Sequence, residues 1–221
     1  MFNLFNCIVT LCDTSTPCPP QVYTAVIPED IGPNTTVLRV SATDLDFGPN
    51  GVVMYSLGND TQGLFEINSV TGEVVTSGAF DRERTSSFSF TVVASDNGTS
   101  GPRNTTARLD VTVTDVNDNA PVFTTLPYTA SLPLSTGPDV SVLTVTATDT
   151  DDGPNGQVAY SLLDDGTDSL TYFRLDGNTG ELYTRARMIT AQGHYSLKVT
   201  ATDKALDPQA RMTSTGNLET I

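Results

Sequence analysis

The chain has 221 residues, a length that fits one or two domains of ordinary size. Its 26 acidic residues against 11 basic ones give a net charge of −15, so the basic face that nucleic-acid binding requires is missing. No stretch approaches the ~18 apolar residues of a membrane-spanning helix, a single His limits His-dependent catalysis to one site, and the absence of Trp excludes Trp-lined sugar platforms.

Residues 1–19 form an N-terminal segment that differs from the rest of the chain. It contains all three cysteines, Cys7, Cys12 and Cys18, and its apolar start lacks the basic residues of a signal peptide. The cysteine spacing argues against a zinc site, and the odd number of cysteines favours one disulfide plus one free or cleaved-off thiol. We expect this segment to be processed or irregular.

From residue 20 onward the sequence repeats itself with an offset of about 105 residues, which indicates a duplicated domain. Leu38–Asp44 returns as Leu143–Asp149, and Gly48–Gly51 returns as Gly153–Gly156. The two repeats are predicted at residues 20–119 and 120–221. The second is expected to stop within its last strand.

Within each repeat, apolar residues alternate with polar ones in short runs separated by Gly, Pro, Asn and Asp, the pattern of half-buried strands. Strands of the first repeat are predicted near residues 22–27, 36–42, 52–57, 64–68, 73–76, 88–94 and 106–114. No window shows a helical stripe. The predicted fold class is all-β, with two tandem Ig-like Greek-key β-sandwiches of about seven strands each.

Four asparagines begin N-x-T sequons, the acceptor pattern for N-glycosylation. They are Asn34, Asn59, Asn97 and Asn104. Four such tripeptides in turn-like surroundings favour an extracellular chain.

The acidic residues cluster at predicted strand ends instead of along outward strand positions. Asp44 and Asp46 precede a Gly-containing turn with Asn50, and Asp149, Asp151 and Asn155 repeat this arrangement. A third cluster, residues 115–119, stands where the two repeats join. Alternating carboxylates followed by a turn gather the hard oxygen ligands that Ca²⁺ prefers. The loops are not EF-hands, because the Glu at the twelfth position is missing.

In these motifs the chain resembles a pair of cadherin repeats, of the protocadherin and Fat type. The resemblance rests on five motifs in one order: Pro28-Glu29, the loop 44–51, Asp81-Arg82-Glu83, Ala94-Ser95-Asp96, and the linker 115–121. It covers the chain from about Gln21 nearly to the end. Strand-swapping cadherins dock an N-terminal Trp, which this chain lacks, so that mechanism is not implied.

The resemblance implies three Ca²⁺ ions between the repeats and assigns their ligands residue by residue. The expected side-chain ligands are Glu29, Asp81, Glu83, Asp115, Asn117, Asp118, Asp149, Asp151 and Asp203, with backbone carbonyls from Val116, Asn119 and Asn155. Asp44, Asp46, Asn50 and Asp96 would form an upstream half-site without a matching linker. The second repeat has Leu134 in place of Glu29 and residues 189–191 in place of Asp81–Glu83, so its own lower half-site is expected to be missing.

The predicted function is therefore calcium-dependent cell–cell adhesion, or an ectodomain spacer, with other cadherin-type ectodomains as homophilic or heterophilic partners. The expected location is extracellular, on a parent protein anchored in the plasma membrane. One alternative remains open, a secreted carbohydrate- or ligand-binding β-sandwich with structural calcium. A glycoside hydrolase using Asp149 and Asp151 as acid and base is disfavoured. Because the paired acids recur in both repeats beside other expected ligands, we predict no enzyme activity.

Overall fold

A computed structural model describes residues 7–10, 22–44, 46–96, 98, 103–133, 135–163, 169–187 and 194–220. The chain is almost entirely β-structure and divides into two compact units, Met1–Val116 and Asn117–Ile221. Each unit is an Ig-like β-sandwich, which confirms the predicted fold class.

The first unit contains two four-stranded sheets, ordered β1-β3-β6-β5 and β2-β8-β7-β4. Their strands are β1 (Cys7–Thr10), β2 (Val22–Pro28), β3 (Thr36–Thr43), β4 (Met54–Leu57), β5 (Phe65–Ile67), β6 (Glu73–Thr76), β7 (Ser87–Ser95) and β8 (Asn104–Thr114). A 3₁₀ turn, Gly48–Gly51, precedes β4. β2 runs parallel to β8, whereas β7 pairs antiparallel with both β8 and β4.

The core of the first unit lies between these sheets and consists of the inward residues of the alternating strands. Phe90, Leu109 and Val111 are at most 1% exposed. Phe65 packs against the rings of Phe80, Phe88 and Phe90 with centroid distances of 4.8 to 5.4 Å. Burying each such side chain stabilises the fold by about 1.5–3 kcal/mol.

β1 lies within the N-terminal segment, where the sequence pattern predicts no strand. Its backbone pairs in parallel with β3, from Cys7 opposite Val40 to Thr10 opposite Thr43. The edge of β3 offers unpaired N–H and C=O groups, and the β-branched residues at positions 8–10 suit an extended conformation. Of the other two cysteines, Cys12 and Cys18, the described residues include neither.

The second unit repeats this architecture with a four-stranded sheet, β10-β17-β16-β13, facing the sheets β11-β15-β14 and β12-β9. Its elements are β9 (Val122–Phe123), β10 (Tyr128–Ala130), β11 (Ser141–Thr144), β12 (Ala147–Thr148), β13 (Val158–Leu162), α1 (Ser169–Tyr172), β14 (Phe173–Leu175), β15 (Glu181–Thr184), β16 (Tyr195–Asp203) and β17 (Thr213–Thr220). The core comprises Val145, Phe173, Leu182, Leu197, Val199 and Leu218, all at most 1% exposed. β17 pairs with β16 from Thr213 to Thr220.

Strand register brings the acidic segments of each unit to one end of its sandwich. In the first unit Pro28 pairs with Thr114, so the next residues, Glu29 and Asp115, emerge together. In the second unit Thr148 pairs with Val122, so the segment before Val122 lies beside the residues that follow Thr148. Each unit therefore builds an oxygen-rich end from segments that are distant in sequence.

Candidate metal centre

Glu29 is buried at the end of the first unit and is held by two backbone hydrogen bonds. It follows directly after β2 and is only 5% exposed. Its Oε2 accepts a hydrogen bond from the backbone N–H of Arg82 at 2.7 Å, and its Oε1 accepts one from the N–H of Val116 at 2.8 Å. These bonds tie the end of β2 to the 81–84 turn and to the end of β8.

The 81–84 turn brings two more carboxylates to Glu29. Asp81 Oδ1 accepts a hydrogen bond from the N–H of Arg84 at 2.9 Å, and its carbonyl accepts one from the N–H of Thr85 at 2.8 Å. Carboxylate oxygens of Glu29, Asp81 and Glu83 lie within 4.8 Å of one another. Each pair of unit charges at 4 Å costs about 1 kcal/mol even in water, so this arrangement favours a bound cation.

Arg82 is the basic side chain among these acids. Its Nε lies 2.6 Å from Asp115 Oδ1, and its Nη2 contacts Glu83 Oε1. Burial by itself lowers the pKa of Arg82, but the charges of Asp115 and Glu83 outweigh this effect and raise the pKa above its ordinary value. Arg82 is therefore an ion-pair partner of two expected ligands, a role that the sequence analysis does not assign.

The second unit holds its acids through the amides of the linker. Asn117 Nδ2 donates to Asp203 Oδ2 at 3.1 Å and to the carbonyl of Ala210 at 2.7 Å. Asn119 Nδ2 donates to Asp151 Oδ1 at 2.7 Å. Asp203, at the end of β16, is 1% exposed, and Asp151 is 7% exposed.

Two oxygens at this end of the second unit are buried without a hydrogen-bond donor among the described residues: Asn117 Oδ1 and Asp149 Oδ2. Buried polar atoms in native proteins are almost always paired, so such oxygens call for an explanation. Burial raises the pKa of Asp149, and the charges of Asp151 and Asp203 raise it further. Acceptors without donors, beside clustered negative charge, fit a hard cation such as Ca²⁺.

Both repeats build the same loop around their paired aspartates. Asp149 Oδ1 accepts a hydrogen bond from the N–H of Asp151 at 3.1 Å, and Asp44 Oδ1 accepts one from the N–H of Asp46 at 2.8 Å. A Cβ added at Gly156 would lie 2.0 Å from the carbonyl oxygen of Asp151. Gly is therefore required where the loop passes so close to its own backbone.

The remaining expected residues occupy varied surroundings. Asp118 is exposed and accepts a hydrogen bond from Asn119 Nδ2 at 2.7 Å, and Asn155 is half-buried. In the upstream set, Asp96 is 7% exposed and its Oδ1 accepts hydrogen bonds from the N–H groups of Gly98 and Arg103. Asn50 lies exposed in the 3₁₀ turn. Leu134 and residues 189–191 lie outside the described residues.

From the sequence, Arg82 could be either an ion-pair partner or an exposed residue, and the Ala210 carbonyl is not expected as a partner. The ion pairs of Arg82 depend on the conformation of a long side chain, which spacing along the chain does not specify. The Ala210 carbonyl that accepts from Asn117 comes from the loop after β16, which carries no recognisable motif. The Asp-Arg-Glu triplet places Arg82 near the acids, and this proximity is the one signal that could have indicated its role.

The fold and the clustered oxygens define a class of protein, a tandem pair of Ig-like repeats with acidic strand ends. A sequence model of the family described as "Cadherin domain" matches residues 23–114 and 128–219. The chain belongs to the cadherin family. The matched family is not an enzyme family.

Among curated relatives, Protein dachsous of Drosophila melanogaster is 36% identical over 191 residues, which is 86% of this chain and 6% of that protein. Protocadherin Fat 4 of Mus musculus is 37% identical over 185 residues, 83% of this chain and 4% of that protein. The chain thus spans a small part of these relatives' length.

Among solved structures, mouse cadherin-23 EC22-24 has a TM-score of 0.82 at 32% identity, covering 91% of this chain and 62% of that one. Protocadherin gamma C5 EC1-3 has a TM-score of 0.79 at 28% identity, covering 93% and 66%. In the part of the chain that the structure describes, no helix has the length and apolar character to cross a bilayer.

Proposed function

We propose that the chain is an ectodomain segment that binds about three Ca²⁺ where its two repeats join, and that this binding stiffens the pair for cell–cell adhesion or spacing. The first unit contributes Glu29, Asp81, Glu83, Asp115 and the Val116 carbonyl. The second contributes the side chains of Asn117, Asp118, Asp149, Asp151 and Asp203, and the carbonyls of Asn119 and Asn155.

The observation that carries this proposal is the pair of buried oxygens without donors, Asn117 Oδ1 and Asp149 Oδ2. If the acids were only a solvated surface, their oxygens would face water, and nothing would bury them unpaired. A cation bound at these oxygens would supply the partner that each of them lacks. A sugar hydroxyl or a catalytic water could donate a hydrogen bond to such an oxygen, but neither would offset the negative charge of Asp149, Asp151 and Asp203 at this end of the unit.

Charge balance supports the same conclusion. The two ligand sets contain eight carboxylates, and one peptide bond, between Val116 and Asn117, connects them. Three divalent ions would bring +6 against this −8, so the repulsion of the empty ligands turns into attraction. Extracellular modules of this kind bind calcium at about 10⁻⁴–10⁻³ M, which ordinary extracellular calcium would satisfy.

The surroundings of this centre fit an extracellular protein. Among the sequon asparagines, Asn34, Asn59 and Asn104 are exposed, as attachment of a glycan requires, while Asn97 lies outside the described residues. The proposed partners are other cadherin-type ectodomains, homophilic or heterophilic, and the proposed parent is anchored in the plasma membrane. Asp44, Asp46, Asn50 and Asp96 would be one half of a further calcium site.

Titration calorimetry with calcium tests the proposal. We expect about three ions to bind the wild-type chain, and Asp149→Asn, which keeps the side-chain volume but removes a charge, to lose at least one site or weaken binding about tenfold. The matched control is Glu66→Gln, an exposed residue of β5 outside the centre. A wild-type chain that binds no calcium at millimolar concentration would rule the proposal out.

A further inference from the structure

The guanidinium of Arg82 lies where a metal ion and a protein cation would compete. Its Nε is 2.6 Å from Asp115 Oδ1 and its Nη2 contacts Glu83 Oε1. The three side chains are only 14% to 20% exposed. Both acceptors are proposed calcium ligands, so one cationic side chain already engages two of them.

This contact differs from an ordinary surface ion pair, which contributes little to stability. Arg82 bridges two acids at once and is largely screened from water by its surroundings. Its Nη2 donates a charge-assisted hydrogen bond to Glu83 Oε1, and its Nε makes an ion-pair contact with Asp115 Oδ1, so one cation holds both acids. Glu83 and Asp115 are therefore held in place in the absence of metal.

The same contact cannot persist unchanged beside a divalent ion. Carboxylate oxygens that ligate calcium direct their lone pairs at the ion, and a guanidinium within hydrogen-bond distance of those oxygens would stand next to a like charge. A calcium ion that binds these same oxygens would displace Arg82, and one that binds the other oxygen of either acid would stand near its positive charge, so Arg82 opposes metal binding in both cases.

We propose that Arg82 is an internal competitor of calcium: it holds Glu83 and Asp115 in the metal-free chain and lowers the affinity of that site for the ion. The inference rests on the proposed calcium function. It makes the metal-free repeat more stable and makes binding depend on a higher calcium concentration.

The sequence of the second repeat is consistent with this coupling between Arg82 and the acids. At the position of Asp81-Arg82-Glu83, it has Ile189-Thr190-Ala191. The arginine is missing where the acids are missing, as expected if its task is to compensate their charge.

The backbone of Arg82 makes a separate contribution that a substitution would preserve. Its N–H donates to Glu29 Oε2 at 2.7 Å whatever the side chain is. Arg82→Gln therefore removes the guanidinium without removing this anchor. Arg84→Gln is the matched control, because Arg84 is an exposed residue of the same turn and its loss changes the net charge equally.

The test compares the wild-type chain, Arg82→Gln and Arg84→Gln by calcium titration calorimetry and by thermal unfolding in chelator. We expect Arg82→Gln to bind calcium about three- to tenfold more tightly. We also expect its unfolding midpoint in chelator to fall by on the order of 5 °C. Arg84→Gln should match the wild type in both measurements.

Two results would overturn the inference while leaving the proposed calcium function intact. One is a wild-type chain that binds calcium together with an Arg82→Gln chain that binds equally or less tightly. The other is an equal gain of affinity in Arg84→Gln, because the effect would then follow net charge instead of the ion pair. If neither the wild type nor Arg82→Gln binds calcium, both the inference and the proposed function fail.

Discussion

Single side chains close the turns of both sandwiches. In the turn between β14 and β15, Asp176 Oδ1 accepts hydrogen bonds from the backbone N–H groups of Thr179 and Asn178, each at 2.9 Å. Asn68 makes the same two contacts in the first repeat, to Val70 and Thr71. The hydrogen bonds from Thr179 and Asn178 favour the charged carboxylate and lower the pKa of Asp176.

This turn gives a pH-dependent prediction. Because the pKa of Asp176 is lower folded than unfolded, its contribution to stability is present above the unfolded value of about 3.9 and is lost as the pH falls through the folded value. Asp176→Asn, which copies the amide of the first repeat, should remove this dependence while staying close to wild-type stability at pH 7. Thermal unfolding of both chains between pH 2 and pH 7 measures the difference, and parallel curves would contradict it.

At the residue scale the sequence specifies positions better than partners. The resemblance to cadherin repeats identifies Glu29 and Asp203 as candidate ligands, and the paired aspartates before a turn identify Asp149. The sequence does not specify that Asn117 donates to Asp203, or that Arg82 engages Asp115, because side-chain conformations depend on packing between segments far apart in the chain. His194, the single histidine, is exposed and directly precedes β16.

Among the structural elements, the aspartate loops depend on glycine to keep their shape. In the first repeat a Cβ at Gly51 would lie 2.1 Å from the Asp46 carbonyl oxygen, nearly the same approach as at Gly156. Such contacts involve backbone atoms, which cannot rotate away. The loop must therefore shift if any side chain is added.

Gly156→Ala should consequently displace Asp151 and weaken both the fold and calcium binding. We expect a loss of about 1–3 kcal/mol in the free energy of unfolding, measured by denaturant titration in chelator, and a weaker calcium affinity by calorimetry. Gly137→Ala is the control in the same unit, since a Cβ there meets no atom within 4 Å. Equal stability of the two variants would show that the loop tolerates the side chain.

The alternation of apolar and polar residues predicts which segments of the first repeat form strands. It predicts the first and last residue of each strand less well. Most of the predicted runs form strands, because the apolar face of each is buried in the same core. These are the runs near 22–27, 36–42, 73–76, 88–94 and 106–114. The run 52–57 begins as a strand only at Met54, because Val52 donates its N–H to Pro49 in closing the 3₁₀ turn. β1 could not be predicted, because the edge of β3 with which it pairs forms only when the sheet assembles.

For the whole molecule, the net charge of −15 matters because many of the acidic residues gather at the ends of the two sandwiches. Each sandwich has an ordinary apolar core that needs no metal, whereas the acidic ends raise the free energy of the chain unless cations accompany them. We therefore expect calcium to act on the connection between the repeats more than on the fold of either repeat. Removing calcium should loosen that connection while both sandwiches stay folded.

Small-angle X-ray scattering of the two-repeat chain, in millimolar calcium and in chelator, tests this account most directly. We predict a longer and narrower particle in calcium, because neutralised ligands hold the linker in one conformation, and a larger, more variable spread of conformations in chelator. Asp118→Ala should abolish the difference. Identical scattering profiles for the wild-type chain in the two conditions would contradict a calcium-stiffened junction.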